Sequence, residues 1–135
     1  CSCVTDEDTY SYYRVLNATG NDIQLKLYFS DDSIRNRYNL PADSVIAIAN
    51  NDCSDMYENI SGLINEKMLL LKSDSVQILV NNVVRKCYIK TEISPYNKSI
   101  YKLTDYSFES MIRMYGKERS LYQFTLYSDD IKFSY

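Results

Sequence analysis

Short runs in which every second residue is apolar, separated by turn-forming residues, constrain this chain more than any other feature. The clearest is "DIQLKLYFS". Ile23, Leu25, Leu27 and Phe29 fall on one face and Gln24, Lys26, Tyr28 and Ser30 on the other, as in a half-buried strand. The preceding "YSYYRVLN" reads as its hairpin partner, joined through "ATGND". "VIAIAN" follows the turn residues "LPADS". "SVQILV" and "VVRKCYIK" flank Asn81-Asn82, and asparagine tolerates the positive φ that a two-residue hairpin turn requires. On these arms Val76, Ile78 and Val80 are expected inward, and Cys87 and Ile89 opposite them. "LYQFTLYS" repeats the pattern with Tyr122, Phe124 and Leu126 inward, and "IKFSY" does so with Ile131, Phe133 and Tyr135. Regular short strands with frequent turns predict an all-β domain with room for one short helix. The expected architecture is an antiparallel two-sheet sandwich, immunoglobulin-like or related, with seven or eight strands.

Two stretches resist a period-two reading. "DMYENISGLI" places Met56, Ile60, Leu63 and Ile64 at helical spacing. Asp55 and Glu58 stand at the separation of a capping box. It is read as a short helix or loop between the sheets, with Gly62 weakening the helix. "YSFESMIRMY" fits a helix through Phe108, Met111, Ile112 and Tyr115. It also fits a strand through Tyr106, Phe108, Ile112 and Met114, with a turn at "GKER". "MLLLK" is too short and uniform to classify.

A length of 135 residues suits one domain with a real core. The tail is assigned to residues 1–9 and the domain to 10–135. Fifteen basic against 18 acidic residues, a formal charge of −3, leave no basic footprint for nucleic acid. No stretch approaches the ~20 apolar residues of a membrane helix. There is no histidine, so Ser-His-Asp and Cys-His catalysis and histidine-bound zinc are excluded. Three scattered glycines write no phosphate-cradling loop. No catalytic residue, cofactor or metal site is assigned, and the expectation is a non-enzymatic protein.

"CSCVTDED" precedes the first strand pattern. A cysteine followed by small and polar residues resembles the mature N-terminus of a bacterial lipoprotein. In such a chain the signal peptide is cut before the cysteine and lipid is attached to it. Cys1 fits that role; Cys3 is the alternative. Asp6, Glu7 and Asp8 resemble the acidic signal with which Bacteroidota send lipoproteins to the cell surface. "RVLNATGNDIQLKLYFSDDSI", "DSVQILVNN" and "YQFTLYSDDIKF" are similar, over most of the chain, to the small β-rich surface lipoproteins of that group. In those, an early strand reads V-x-N-x-T/S-G, a middle one begins D-S-[IV], and a late Y-x-[YF]-T-[IL] strand precedes an acidic pair. These are strand and turn patterns, and the resemblance defines no functional residues. It implies lipid anchoring at the outer membrane, facing the exterior, with an outer-membrane protein as partner.

"DSI" and the two "DSV" triplets match the O-glycosylation motif of exported Bacteroidota proteins at Ser33, Ser44 and Ser75; Asp-Ser is also a common strand-initiating turn. Cys53 and Cys87 form a candidate disulfide for an oxidising compartment, against the alternative of ordinary thiols. Asn50, Asp52, Asp55 and Glu58 carry calcium-type oxygens but lack the glycine and terminal glutamate of an EF-hand loop. Fourteen tyrosines against four phenylalanines and no tryptophan are an unusual aromatic balance. Tyr10, Tyr12, Tyr13, Tyr28, Tyr88, Tyr122 and Tyr127 lie in expected strands, where sheet packing is the default and a recognition surface the alternative. The function expected is a protein-binding accessory subunit of an outer-membrane complex; the alternative is a glycan-binding or adhesin-like surface module. A flat apolar patch near the start of the domain would favour the first, an exposed tyrosine row along a groove the second, and a deep cleft holding two carboxylates an enzyme.

Overall fold

The computed structural model of the chain describes residues 10–39, 43–60, 63–64 and 69–132. The tail carrying Cys1, Cys3, Asp6, Glu7 and Asp8 lies outside the described residues, as do Phe133 and Tyr135. The strands are β1 (Tyr10–Ala18), β2 (Ile23–Tyr28), β3 (Asp43–Ile48), β4 (Tyr57–Ile60), β5 (Leu63–Ile64), β6 (Ser75–Val80), β7 (Val83–Ile89), β8 (Ser107–Met114) and β9 (Lys117–Tyr127). They form a five-stranded sheet, β5-β4-β1-β9-β8, and a four-stranded sheet, β3-β2-β6-β7, packed as a sandwich. The two-sheet sandwich is as expected, but the described residues form nine strands rather than seven or eight, and β1 and β9 pair in parallel while the other ladders are antiparallel.

The alternating runs bury the predicted faces. Ile23, Leu25, Leu27 and Phe29 are buried, as are Val76, Ile78 and Val80. From the other sheet Val15, Phe124 and Leu126 meet them, and Leu70, Leu71, Ile100 and Ile131 fill in from the loops. Each fully buried aliphatic or aromatic side chain contributes about 1.5–3 kcal/mol of transfer free energy. The Asn81-Asn82 turn also forms, with φ of 51° and 66°.

Several local readings are corrected. β1 and β2 are not a hairpin; they belong to different sheets, and the link between them crosses the sandwich. Alternation is the same for a hairpin and for a crossing, so pairing partners decide. The corner is held by Asn17, fully buried at the end of β1. Its Nδ2 donates to the carbonyls of Asn21 (2.6 Å) and Ile48 (3.0 Å), and its Oδ1 accepts from the Thr19 hydroxyl (2.7 Å) and N–H (3.1 Å). The described residues of "DMYENISGLI" form strands β4 and β5 rather than a helix. Its residues 57–60 pair with β1, and the open edge of a central strand outweighs a weak helical pattern. The short helix instead spans α1 (Asp32–Tyr38). The Asp31 side chain caps it by accepting from the Ser33 N–H, and Asn39 closes it at φ 54°.

"MLLLK" contributes a 3-10 turn, Leu69–Lys72. Ser128–Ile131 is a 3-10 turn that folds Ile131 of "IKFSY" into the core, and residues 133–135 lie outside the described residues. In β7, Tyr88 is buried while Ile89 is exposed, reversing the expected face. Apolar residues occupy both parities of "VVRKCYIK", so β6 decides: inward Val76 pairs with Tyr88 and Ile78 with Lys86.

The ambiguous stretch 106–115 is strand from Ser107. Glu109 is an extra residue in its ladder: Phe108 pairs with Tyr122 and Ser110 with Leu121. This bulge puts Phe108 and Met111 on one face at a spacing of three, which is why the sequence also fits a helix. The turn is Tyr115-Gly116 rather than "GKER", with φ of 53° and 78°. β9 therefore begins at Lys117.

Candidate functional site

The face of the five-stranded sheet that builds the core runs beyond the second sheet. Along β9 it passes from Leu126 and Phe124, both buried, to Tyr122 and Ser120, half-buried. Along β1 it passes from Val15, buried, to Tyr13 and Ser11, half-buried. An aromatic chain follows it outward. Phe124 meets Tyr106 at 5.2 Å between ring centroids, and Tyr106 meets Tyr13 edge-on at 5.5 Å. Tyr13 stacks on Tyr122 at 5.3 Å, and Tyr122 meets Phe108 edge-on at 6.0 Å. Such ring pairs add about 0.5–1.5 kcal/mol each beyond area burial, so the outer rings stand on a rigid base.

The chain ends at the surface. Phe108 is 57% and Met111 50% exposed. The Ser120 hydroxyl lies 3.7 Å from the Met111 sulfur. Ser11, Ser120 and Met111 form one row across the sheet, so the patch adjoins the start of β1. Inside the chain, burial pushes the Tyr106 phenol far above its ordinary pKa, and its hydroxyl donates to the Ile100 carbonyl at 2.7 Å. Burial, with Asp55 beside it, also raises the Tyr57 phenol. These hydroxyls stay protonated and neutral. The sequence reading missed Phe108 and Met111 as a surface feature; their three-residue spacing inside a β context was the available signal.

A cleft of about 360 Å³ lies against β7, lined by residues that include Lys86, Cys87, Glu92, Lys98 and Asp130. It holds two carboxylates, but Asp130 accepts from Lys98 Nζ at 2.7 Å and from the Tyr127 N–H at 2.8 Å. Lys98 also donates to the Thr125 carbonyl and lies 4.9 Å from the Phe124 ring centre. This lysine–aspartate pair pins the loop to the sandwich. Burial, then Glu92, pushes the Cys87 thiol up, with Lys86 opposing. Thiolate nucleophiles need the opposite shift. Among the described residues no cluster of histidine, cysteine and acid groups could hold a metal ion.

The remaining sequence candidates are dispersed. Cys53 bridges to Leu16 beside β1, Cys87 lies on the edge strand of the other sheet, and both thiols are free. Ser33 is exposed in the first turn of α1, while Ser44 on β3 and Ser75 on β6 are half-buried. The aspartate of each triplet has a structural partner: Asp32 with Arg35, Asp43 with Lys26 at 3.4 Å, and Asp74 with the Ser30 N–H at 2.7 Å. Asn50 accepts from the Gly20 N–H and Asp52 from that of Cys53, so both serve turns. The most exposed tyrosines among the described residues are dispersed: Tyr28 ends β2, Tyr127 ends β9, Tyr96 lies in the loop after β7 and Tyr115 in the turn between β8 and β9. No protein family, curated protein or solved structure matches this chain.

Proposed function

We propose that this chain is a non-enzymatic protein-binding module, anchored to the outer membrane by lipid on Cys1 or Cys3 and facing the exterior, where it serves as an accessory subunit of an outer-membrane complex. The exposed Phe108–Met111 patch carries this reading. Contiguous apolar surface on a soluble domain is a mark of interaction, and aromatic residues and methionine are enriched at interfaces. The patch rests on a stacked aromatic base, so little ordering entropy opposes docking. Its place beside the start of β1 supports a partner in the same membrane. The nine preceding residues reach at most about 30 Å when fully extended. The cysteine followed by Asp6, Glu7 and Asp8 supports the address.

A photo-crosslinking residue at position 108, compared with one at the exposed Lys90, tests the binding surface in intact cells. The expected result is one dominant heterologous membrane-protein adduct from position 108, lost when Met111 is changed to Lys. Equal adducts from both positions would refute the surface. Replacing Cys1 and Cys3 together should release the protein to the soluble fraction, and full retention in the membrane would refute the anchor.

A further inference from the structure

We propose that the outer face of the four-stranded sheet carries a shallow site for one neutral hexose ring, built by Tyr28 and Lys26 of β2, Asp43 of β3, and Ser75 and Gln77 of β6. These five residues line a depression of about 220 Å³. It lies on the other sheet from the Phe108–Met111 patch and does not depend on it.

Strand register makes the site. Alternate side chains of a strand share a face. On β2, Leu25 and Leu27 are buried in the core, so Lys26 and Tyr28 stand on the outer face. Tyr28 pairs with Asp43 on one side and Ser75 on the other, and Lys26 pairs with Gln77. The Asp74 N–H donates to the Tyr28 carbonyl at 2.8 Å and pins this end of β2. Three paired strands therefore hold the polar groups, and little ordering opposes binding.

The lining chemistry selects the ligand. Tyr28 is 49% exposed and offers a ring face to C–H groups. The Tyr28 and Ser75 hydroxyls and the Gln77 amide make no hydrogen bond with another described residue. Together they present donors and acceptors side by side. Vicinal hydroxyls, each of which both donates and accepts, match that mixture. Lys26 stands 3.4 Å from Asp43, so the two charges offset each other and favour neither a phosphate nor a metal cation. No aliphatic side chain lines the depression, which disfavours a lipid or an apolar peptide. Its volume is below the roughly 300–1,000 Å³ of drug-sized pockets, which limits the ligand to one ring. A single tyrosine suits one ring, whereas a glycan chain laid along the surface needs a row of them.

Saturation-transfer NMR on the full chain with Cys1→Ser and Cys3→Ser tests this. The probes are methyl β-D-glucopyranoside, methyl β-D-galactopyranoside and methyl α-D-mannopyranoside, with glucose 6-phosphate as an anionic comparison. A one-ring ligand binds in the millimolar range, so each probe is titrated to about 50 mM. At least one neutral glycoside should receive transfer on its ring C–H protons. Tyr28→Ala and Gln77→Ala should each weaken binding at least about tenfold. Tyr28→Phe keeps the ring and should bind more tightly than Tyr28→Ala. Tyr115→Ala removes an exposed tyrosine elsewhere and should change nothing. The two alanine variants act on different strands, so either decides alone if the other fails to fold. Transfer to none of the neutral glycosides, tightest binding of glucose 6-phosphate, or undiminished binding by a folded alanine variant would overturn the proposal.

Discussion

Asn17 shows how much one polar side chain does in this sandwich. It is the most engaged buried polar residue described, joining β1, the 19–21 corner and the end of β3 through four hydrogen bonds. Asn17→Ala leaves the buried Ile48 carbonyl and the buried Thr19 N–H without that partner and removes one donor from the Asn21 carbonyl. It should destabilise by about 2–4 kcal/mol, read as a lower urea midpoint at unchanged m-value. Asp74 makes a smaller, pH-dependent contribution. The Ser30 hydroxyl and N–H both donate to Asp74 Oδ2 and hold its carboxyl below the ordinary range. A depressed folded-state pKa gives stability that is present above the unfolded value and lost as pH falls through the folded one. Asp74→Asn should therefore lower Tm at neutral pH and flatten its decline below about pH 4, the two curves converging in acid. Parallel curves for both proteins would contradict the linkage. The roles of both residues were hidden in the sequence, where "NAT" and "DSV" read only as turn or modification motifs.

At the scale of elements, turns were more legible than partners. Asn81-Asn82 announces a hairpin because asparagine accepts positive φ, and the structure has one there. Tyr115 gives no such signal. It takes φ 53° as a large aromatic residue that is 82% exposed. Left-handed backbone costs a non-glycine residue about 1–2 kcal/mol, less for asparagine. Tyr115→Asn should raise the thermal midpoint, since a ring this exposed gives up little packing. A drop of similar size would show that the ring contributes more than its exposure implies. β8 was ambiguous for a physical reason: the bulge at Glu109 breaks period two and imitates a helical spacing. In β7, mixed parity let β6 choose which residues face the core.

At the scale of the molecule, the fold and the proposed address are separate problems. Among the described residues the core lies within 12–131 and the first strand, β1, begins at Tyr10; Asp6, Glu7 and Asp8 precede it in the sequence. The sequence reading of this run as a solvated tail implies that its charges contribute little to folding. Replacing all three with Ala should leave Tm almost unchanged and lipid attachment intact. Protease added to whole cells should then digest the original protein and spare the variant. Equal digestion would show that the run has no part in surface export.

The sequence by itself determined that the chain is β-rich, which faces of β2, β6 and β9 are buried, and where the Asn81-Asn82 hairpin turns. Period-two alternation and residue-specific φ preferences are local properties, and they survive into the structure wherever nothing competes. Only the tertiary structure decided which strands are neighbours. It separated β1 from β2, laid β9 parallel to β1, and drew 57–60 into a strand. It also brought Phe108 and Met111 together at the end of an aromatic stack whose members come from three strands and a connecting segment. Alternation specifies a face and not a partner. Pairing is chosen by the fit of whole sheets across a common core, over separations that no local pattern records.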